Sequence, residues 1–143
     1  MAKITLKNLS HSYLTKQNND ADWALRGVNI DWKDGGAYAL LGPSGCGKTT
    51  LLNIISGLLK PTKGEVLFND KDMTSLNPVE RDIAQIFQFP VIYDTMTVYD
   101  NLAFPLKNRG LSESDIEFKV KEIAEMLELT RTLGNRASGL TAD

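Results

Sequence analysis

The residues best equipped for chemistry stand in one stretch: Gly42, Pro43, Ser44, Gly45, Cys46, Gly47, Lys48, Thr49 and Thr50, spaced as G-x-x-x-x-G-K-T with a second threonine behind. Glycines leave the backbone free to curl so that successive N–H groups converge on an anionic oxygen, and a helix beginning near Lys48 adds the positive end of its dipole. The Lys48 ammonium supplies a point charge for outer phosphate oxygens, and the Thr49 hydroxyl is suited to ligate Mg2+. The spacing therefore predicts a loop that holds the phosphates of a nucleotide. The plainer alternative is a glycine turn with an unemployed lysine, and the flanking elements separate the two.

A phosphate loop of this kind must follow a buried strand and open a helix. Residues 37–41 (AYALL) are apolar at nearly every position, the pattern of a strand buried on both faces of a parallel sheet. Beyond Lys48, the residues Leu51, Ile54, Ile55, Leu58 and Leu59 recur at helical spacing, with Gly57 and Pro61 as stop signals. Strand, loop and helix are thus predicted in the required order. Upstream, Ile4 and Leu6 alternate with Lys3, Thr5 and Lys7, and Val28, Ile30 and Trp32 alternate with Asn29, Asp31 and Lys33, which predicts antiparallel strands with one wet face. Residues 15–22 (TKQNNDAD) form a polar loop and 34–36 (DGG) a turn.

Residues 64–68 (GEVLF) and 82–87 (DIAQIF) are predicted strands, separated by a polar segment that contains Pro78. Thr97 can cap a short helix through Asp100, which Pro105 is expected to interrupt. Ser112 with Asp115 opens a second helix whose Ile116, Val120, Ile123 and Leu127 share a face. The acidic stripe Glu113, Glu117, Glu122, Glu125 and Glu128 is a solvated face.

With 143 residues, 42% hydrophobic and 24% charged, the chain has the size of one domain and ordinary globular usage. Its net charge of −2 comes without any basic run, which argues against nucleic acid as a partner. It opens without the apolar stretch of a secretory signal, and no segment approaches the length of a membrane span, so a cytoplasmic location is expected. One cysteine, Cys46, and one histidine, His11, exclude an internal disulfide and make structural zinc untenable. Cys46 is a small filler within the loop, yet a thiol at a helix N-terminus stays open to alkylation.

Three stretches carry a family resemblance. GPSGCGKTTLLNIISGLLKPTKGEV resembles the Walker A region of the ATP-binding cassette family. ERDIAQIFQ, ending at Gln88, resembles its Q-loop strand, and MTVYDNLAFPLKNRG resembles the start of the helical subdomain in sugar-type importer ATPases. The resemblance implies an α/β P-loop NTPase fold in part: an antiparallel β subdomain over 1–36, the first part of a RecA-like core sheet from P-loop to Q-loop over 37–88, and the start of a helical subdomain over 89–143. It implies ATP and Mg2+ as cofactors. It implies that Tyr13 stacks on adenine, with Trp23 the competing aromatic, and that Gln88 touches Mg2+ and the attacking water, for which an amide carbonyl is suited. Phe89, Pro90, Val91, Ile92 and Tyr93 fall where the family receives a membrane permease, which would hold the protein peripherally on the inner face of the membrane.

The sequence also departs from the family. After Gln88 there is no apolar run ending in Asp-Glu, so Walker B and its carboxylate are missing, and His11 lies too early to be the switch histidine. Residues 66–70 (VLFND) imitate such a run, but they precede the Q-loop strand. Where the resemblance calls for LSGGQ, the chain has Ser138, Gly139, Leu140, Thr141, Ala142 and Asp143, so that Ala142 and Asp143 stand in place of paired glycines. The expectation is part of an importer ATPase subunit of the sugar or polyol type, which binds nucleotide without turning it over. Its partners would be a permease and a second cassette of the same or a different sequence, the altered glycines favouring a different one. The rivals are a cytosolic cassette ATPase without a membrane partner and a small P-loop kinase or GTPase; the GTPase lacks its Asn-Lys-x-Asp motif here. Strands left without neighbours predict self-association.

Overall fold

The period-two alternation at the start of the chain does produce a sheet. The structure is a computed structural model that describes residues 2–89 and 91–136, and its contacts divide the chain into two units, Met1–Gln85 and Ile86–Asp143. In the first unit, β1 (Ile4–His11) lies between β2 (Leu25–Trp32) and β3 (Lys63–Phe68), with β4 (Lys71–Asp72) beyond β3. All three pairings are antiparallel, with Leu6 opposite Ile30 on one side and opposite Val66 on the other. The register shifts after Leu6, where Asn8 takes a φ of 49°. That irregularity breaks the strict alternation and lets both Leu6 and Leu9 point into the core.

One helix covers this sheet. α1 (Lys48–Ser56) buries Leu51, Ile54 and Ile55 against Leu6, Leu9, Leu25 and Val66. It ends at Gly57, whose left-handed φ of 85° turns its N–H onto the Ile54 carbonyl. Between β3 and β4, Asn69 and Asp70 both take positive φ, 48° and 64°, as a two-residue hairpin turn requires. Residues 66–70 are therefore the end of a strand and its turn, and the Lys3 ammonium lies 3.4 Å from the Asp70 carboxylate.

Two predicted strands do not form. Residues 37–41 and 82–87 run without ladder partners among the described residues, and Leu41 and Ile86 are 92% and 98% exposed. An apolar run becomes a buried strand only between neighbouring strands, and the antiparallel sheet β2-β1-β3-β4 offers these two segments none. Such uncovered runs are templates for association. The chain is accordingly expected to self-associate with rising concentration; light scattering that finds a monomer throughout a wide concentration range would contradict this.

In the second unit, Thr97 caps α2 (Val98–Asn108), its hydroxyl oxygen accepting from the Asp100 N–H at 3.0 Å. The interruption expected at Pro105 does not occur. Proline gives up one intrahelical bond, but the helix is carried past it by burial of Ala103, with Leu102 and Leu106 packed against the same cluster. α3 (Glu113–Met126) is capped by Ser112, which accepts from the Asp115 N–H at 3.2 Å. Its buried face is Ile116, Val120 and Ala124. Ile123 and Leu127 were expected on that face, yet they are 37% and 54% exposed. The small Ala124 takes the inward place at the strict four-residue step from Ile116. On the outer face Glu117 and Lys121 pair at 2.7 Å, and that hydrogen bond lowers the carboxyl and raises the ammonium from their ordinary pKa values. No helix among the described residues is long and apolar enough to cross a membrane.

Candidate functional site

The loop that leads into α1 is shaped by its glycines. Gly47, the residue before the helix, has a φ of 91°. A Cβ there would lie 2.6 Å from the Ala24 carbonyl oxygen and 2.8 Å from a Leu25 methyl, so only glycine lets the loop press onto β2. The Lys48 side chain folds back and closes the loop: its ammonium donates to the Gly42 carbonyl at 2.8 Å and the Pro43 carbonyl at 2.7 Å, and lies 3.4 Å from Cys46 Sγ. The first helical N–H to find its partner four residues back is that of Leu51, on the Gly47 carbonyl at 2.9 Å. The N–H groups before it have no partner within the helix. The head of α1 thus gathers free donors, a positive dipole end and one ammonium, a combination that attracts an anion.

Thr49 is exposed beside this loop and, with Trp32, Tyr38, Leu40, Lys48 and Leu52, lines a cleft of about 540 Å³. Thr50 is buried, and its hydroxyl lies 3.0 Å from that of Tyr13. Tyr13 is 67% exposed, with its ring edge-to-face against His11. The competing aromatic, Trp23, already carries the Lys63 ammonium 5.2 Å from its ring centre. Ser44, Gly45 and Cys46 are exposed at the loop surface. The first unit therefore brings together Tyr13, the loop from Gly42 to Gly47, and Lys48, Thr49 and Thr50.

Gln88 belongs to the second unit, where it is exposed in an irregular segment. Phe89 and Val91 beside it are 77% and 74% exposed, and Ile92 and Tyr93 are about half exposed. The Asn101 amide grips the Tyr93 backbone from both sides, accepting from its N–H at 2.8 Å and donating to its carbonyl at 3.1 Å, while the Tyr93 ring packs on Phe104. Pro90 and the altered glycine motif at 138–143 lie outside the described residues.

One residue escaped the sequence reading. Arg81 is 4% exposed, and its guanidinium donates to the carbonyls of Ile54 at 2.7 Å, Ile55 at 2.9 Å, Leu76 at 2.9 Å and Thr74 at 3.2 Å. Ile54 and Ile55 belong to the last turn of α1, where carbonyls lack their four-residue helical partners and Ile54 has only the Gly57 N–H besides, so Arg81 caps the far end of the helix that carries the glycine loop. Burial lowers its pKa from the ordinary guanidinium value, against the opposing Asp72 carboxylate. Asp72 is itself held below the usual carboxylate range by hydrogen bonds from Thr74. No periodicity announces an arginine between a turn and an apolar run as a helix cap.

The chain matches the family model described as "ABC transporter" over residues 25–141. It is 40% identical over 141 residues to the sn-glycerol-3-phosphate import ATP-binding protein of Cupriavidus metallidurans, covering 99% of this chain and 37% of that protein. It is 44% identical over 124 residues to the trehalose/maltose import ATP-binding protein of Thermococcus litoralis, covering 82% of this chain and 33% of that one. Among solved structures, the dimeric structure of a bacterial ABC transporter cassette matches with a TM-score of 0.79 at 30% identity, covering 97% of this chain and 63% of that one. A cassette bound to ADP and Pi in a post-hydrolysis state matches with a TM-score of 0.78 at 30% identity, over 96% of this chain and 63% of that one. The chain belongs to the ABC transporter family, as an α/β cassette of the P-loop NTPase class. It spans little more than a third of the length of the curated relatives it matches, 37% in the first case.

Proposed function

We propose that this chain is the nucleotide-binding portion of an importer ATPase subunit and that it binds Mg-ATP at the head of α1. The observation that carries the reading is the closed loop there: Lys48 folds back onto the Gly42 and Pro43 carbonyls beside the first N–H groups of α1, which have no helical partner, and Gly47 leaves no room for a side chain. These groups suit a nucleotide triphosphate: the Lys48 ammonium for the outer oxygens, backbone donors for the inner ones, and the exposed Thr49 hydroxyl for the magnesium ion. Tyr13 receives the adenine. The sugar or polyol class of solute rests on relatives named for glycerol-3-phosphate and for trehalose/maltose import.

On this reading residues 1–36, 37–88 and 89–143 are the β subdomain, the core to the Q-loop and the opening of the helical subdomain. The exposed residues around Phe89 and Tyr93 meet a permease, which holds the protein peripherally on the inner membrane face, and a second cassette completes the ATP site. The sequence holds no Walker B carboxylate to position the attacking water, so the chain binds ATP and does not turn it over.

Cys46 offers a direct test, because it is exposed within the loop and is the only cysteine. At Mg-ATP ten times the dissociation constant, about one loop in eleven remains free, so alkylation of Cys46 is expected to slow roughly ten-fold. Labelling followed by mass spectrometry reads this out, and a rate indifferent to ATP would remove the nucleotide from the loop.

A further inference from the structure

The lone histidine lies directly behind the exposed tyrosine. β1 ends at His11, which is 6% exposed and whose carbonyl accepts from the Ala24 N–H at 2.9 Å. Two residues on, the Tyr13 ring crosses the imidazole at 87°, with the ring centres 4.7 Å apart. The phenol hydroxyl is 3.0 Å from that of Thr50, in the first turn of α1. The tyrosine ring is therefore held at its tip by the helix of the phosphate loop and along its body by His11, and it is still 67% exposed. A base can reach it.

The imidazole is poorly provided for in every other respect. Its Nδ1 has a long contact of 3.4 Å with the Thr62 hydroxyl, and its Nε2 is buried without a hydrogen-bond partner. An unbonded buried nitrogen costs free energy that an aliphatic side chain of similar size would not incur. Packing alone gives no reason for a histidine here. The contact in which an aromatic ring matters is the one with Tyr13, since perpendicular rings attract beyond their buried area.

We propose that His11 is a positioning residue for nucleotide binding: together with the Thr50 hydroxyl it fixes the plane of the Tyr13 ring, so that a purine base meets a surface already set in register with the phosphate loop. A ring ordered beforehand loses no rotamer freedom when the base arrives, and the stacking is then realised in full. The inference rests on Tyr13 as the residue that stacks on the base.

The experiment compares Mg-ATP with magnesium tripolyphosphate, which has no base, by calorimetry on the full chain. Tyr13→Ala is expected to weaken ATP about 5- to 150-fold, the range for loss of one base–aromatic stack, and to leave tripolyphosphate unchanged; unchanged ATP affinity in this variant would sink the stacking reading itself. His11→Leu is expected to weaken ATP about two- to twelve-fold, the equivalent of one perpendicular ring pair, with tripolyphosphate again unchanged. His11→Phe should restore ATP binding. In the Tyr13→Ala background, His11→Leu should have no further effect. If Tyr13→Ala weakens ATP and His11→Leu does not, His11 has no positioning role. The proposal is equally overturned if His11→Leu weakens both ligands alike, if its effect adds to that of Tyr13→Ala, or if phenylalanine fails to rescue.

Discussion

Replacing Lys48 by alanine is expected to weaken Mg-ATP binding about 10- to 150-fold, the worth of one charge-assisted hydrogen bond of roughly 1.5 to 3 kcal/mol. The structure adds a second reason for a large effect. The same ammonium ties together the Gly42 and Pro43 carbonyls, so its removal opens the loop as well as discharging it. The neighbouring N–H groups must then be ordered at the expense of binding. Calorimetry on the variant and the unaltered chain decides the point, and equal affinities would remove phosphate binding from the head of α1.

Arg81→Met should be strongly destabilising, costing roughly 1.5 to 3 kcal/mol in denaturant unfolding, the range for hydrogen bonds made by a charged donor. Methionine fills much of the space and removes the desolvation that depresses the guanidinium pKa, which offsets part of the loss. It takes this donor from the carbonyls of Ile55, Leu76 and Thr74 and leaves Ile54 with the Gly57 N–H alone, in a region where Arg81 is 4% exposed. Lysine is no substitute, since a single ammonium cannot spread donors over carbonyls arranged around a planar fork. A shift of less than about 1 kcal/mol, the size of an ordinary surface effect, would show that water satisfies these carbonyls.

Local pattern announced most of the first unit. Alternation placed β1 and β2, and the helical spacing of Leu51, Ile54 and Ile55 with Gly57 behind them placed α1 and its end. These signals are legible because each depends on which side of one element is apolar. Residues 37–41 and 82–87 misled the reading for the complementary reason: their composition specifies burial between neighbouring strands, and composition cannot supply the neighbours. Pro105 misled it by local logic, because a lost backbone bond can be seen in the sequence and the burial of Ala103 that outweighs it cannot.

The glycine loop ahead of α1 was legible through spacing alone, since its residue types are dictated by the curl of the backbone. What surrounds it was not. Tyr13 lies beside Thr50, across 37 residues of sequence. Arg81 reaches back over 27 residues to the end of α1. Contacts of that span depend on how the sheet and helix are stacked, and no window of sequence contains them.

The strand β1 is an inner strand of its sheet, with β2 on one side and β3 on the other. A protein is made from its N-terminus, so β1 and β2 are synthesised before the strand that completes their sheet, and two paired strands have little stability of their own in water. The phosphate loop and α1 emerge next and find only half a surface to settle on. Not until Phe68 has been synthesised is there a third strand, with Val66 to complete the apolar floor beneath Ile54 and Ile55. The loop proposed for the nucleotide is therefore made before the strand that gives it its shape. It is ready for a ligand only once that strand closes the sheet.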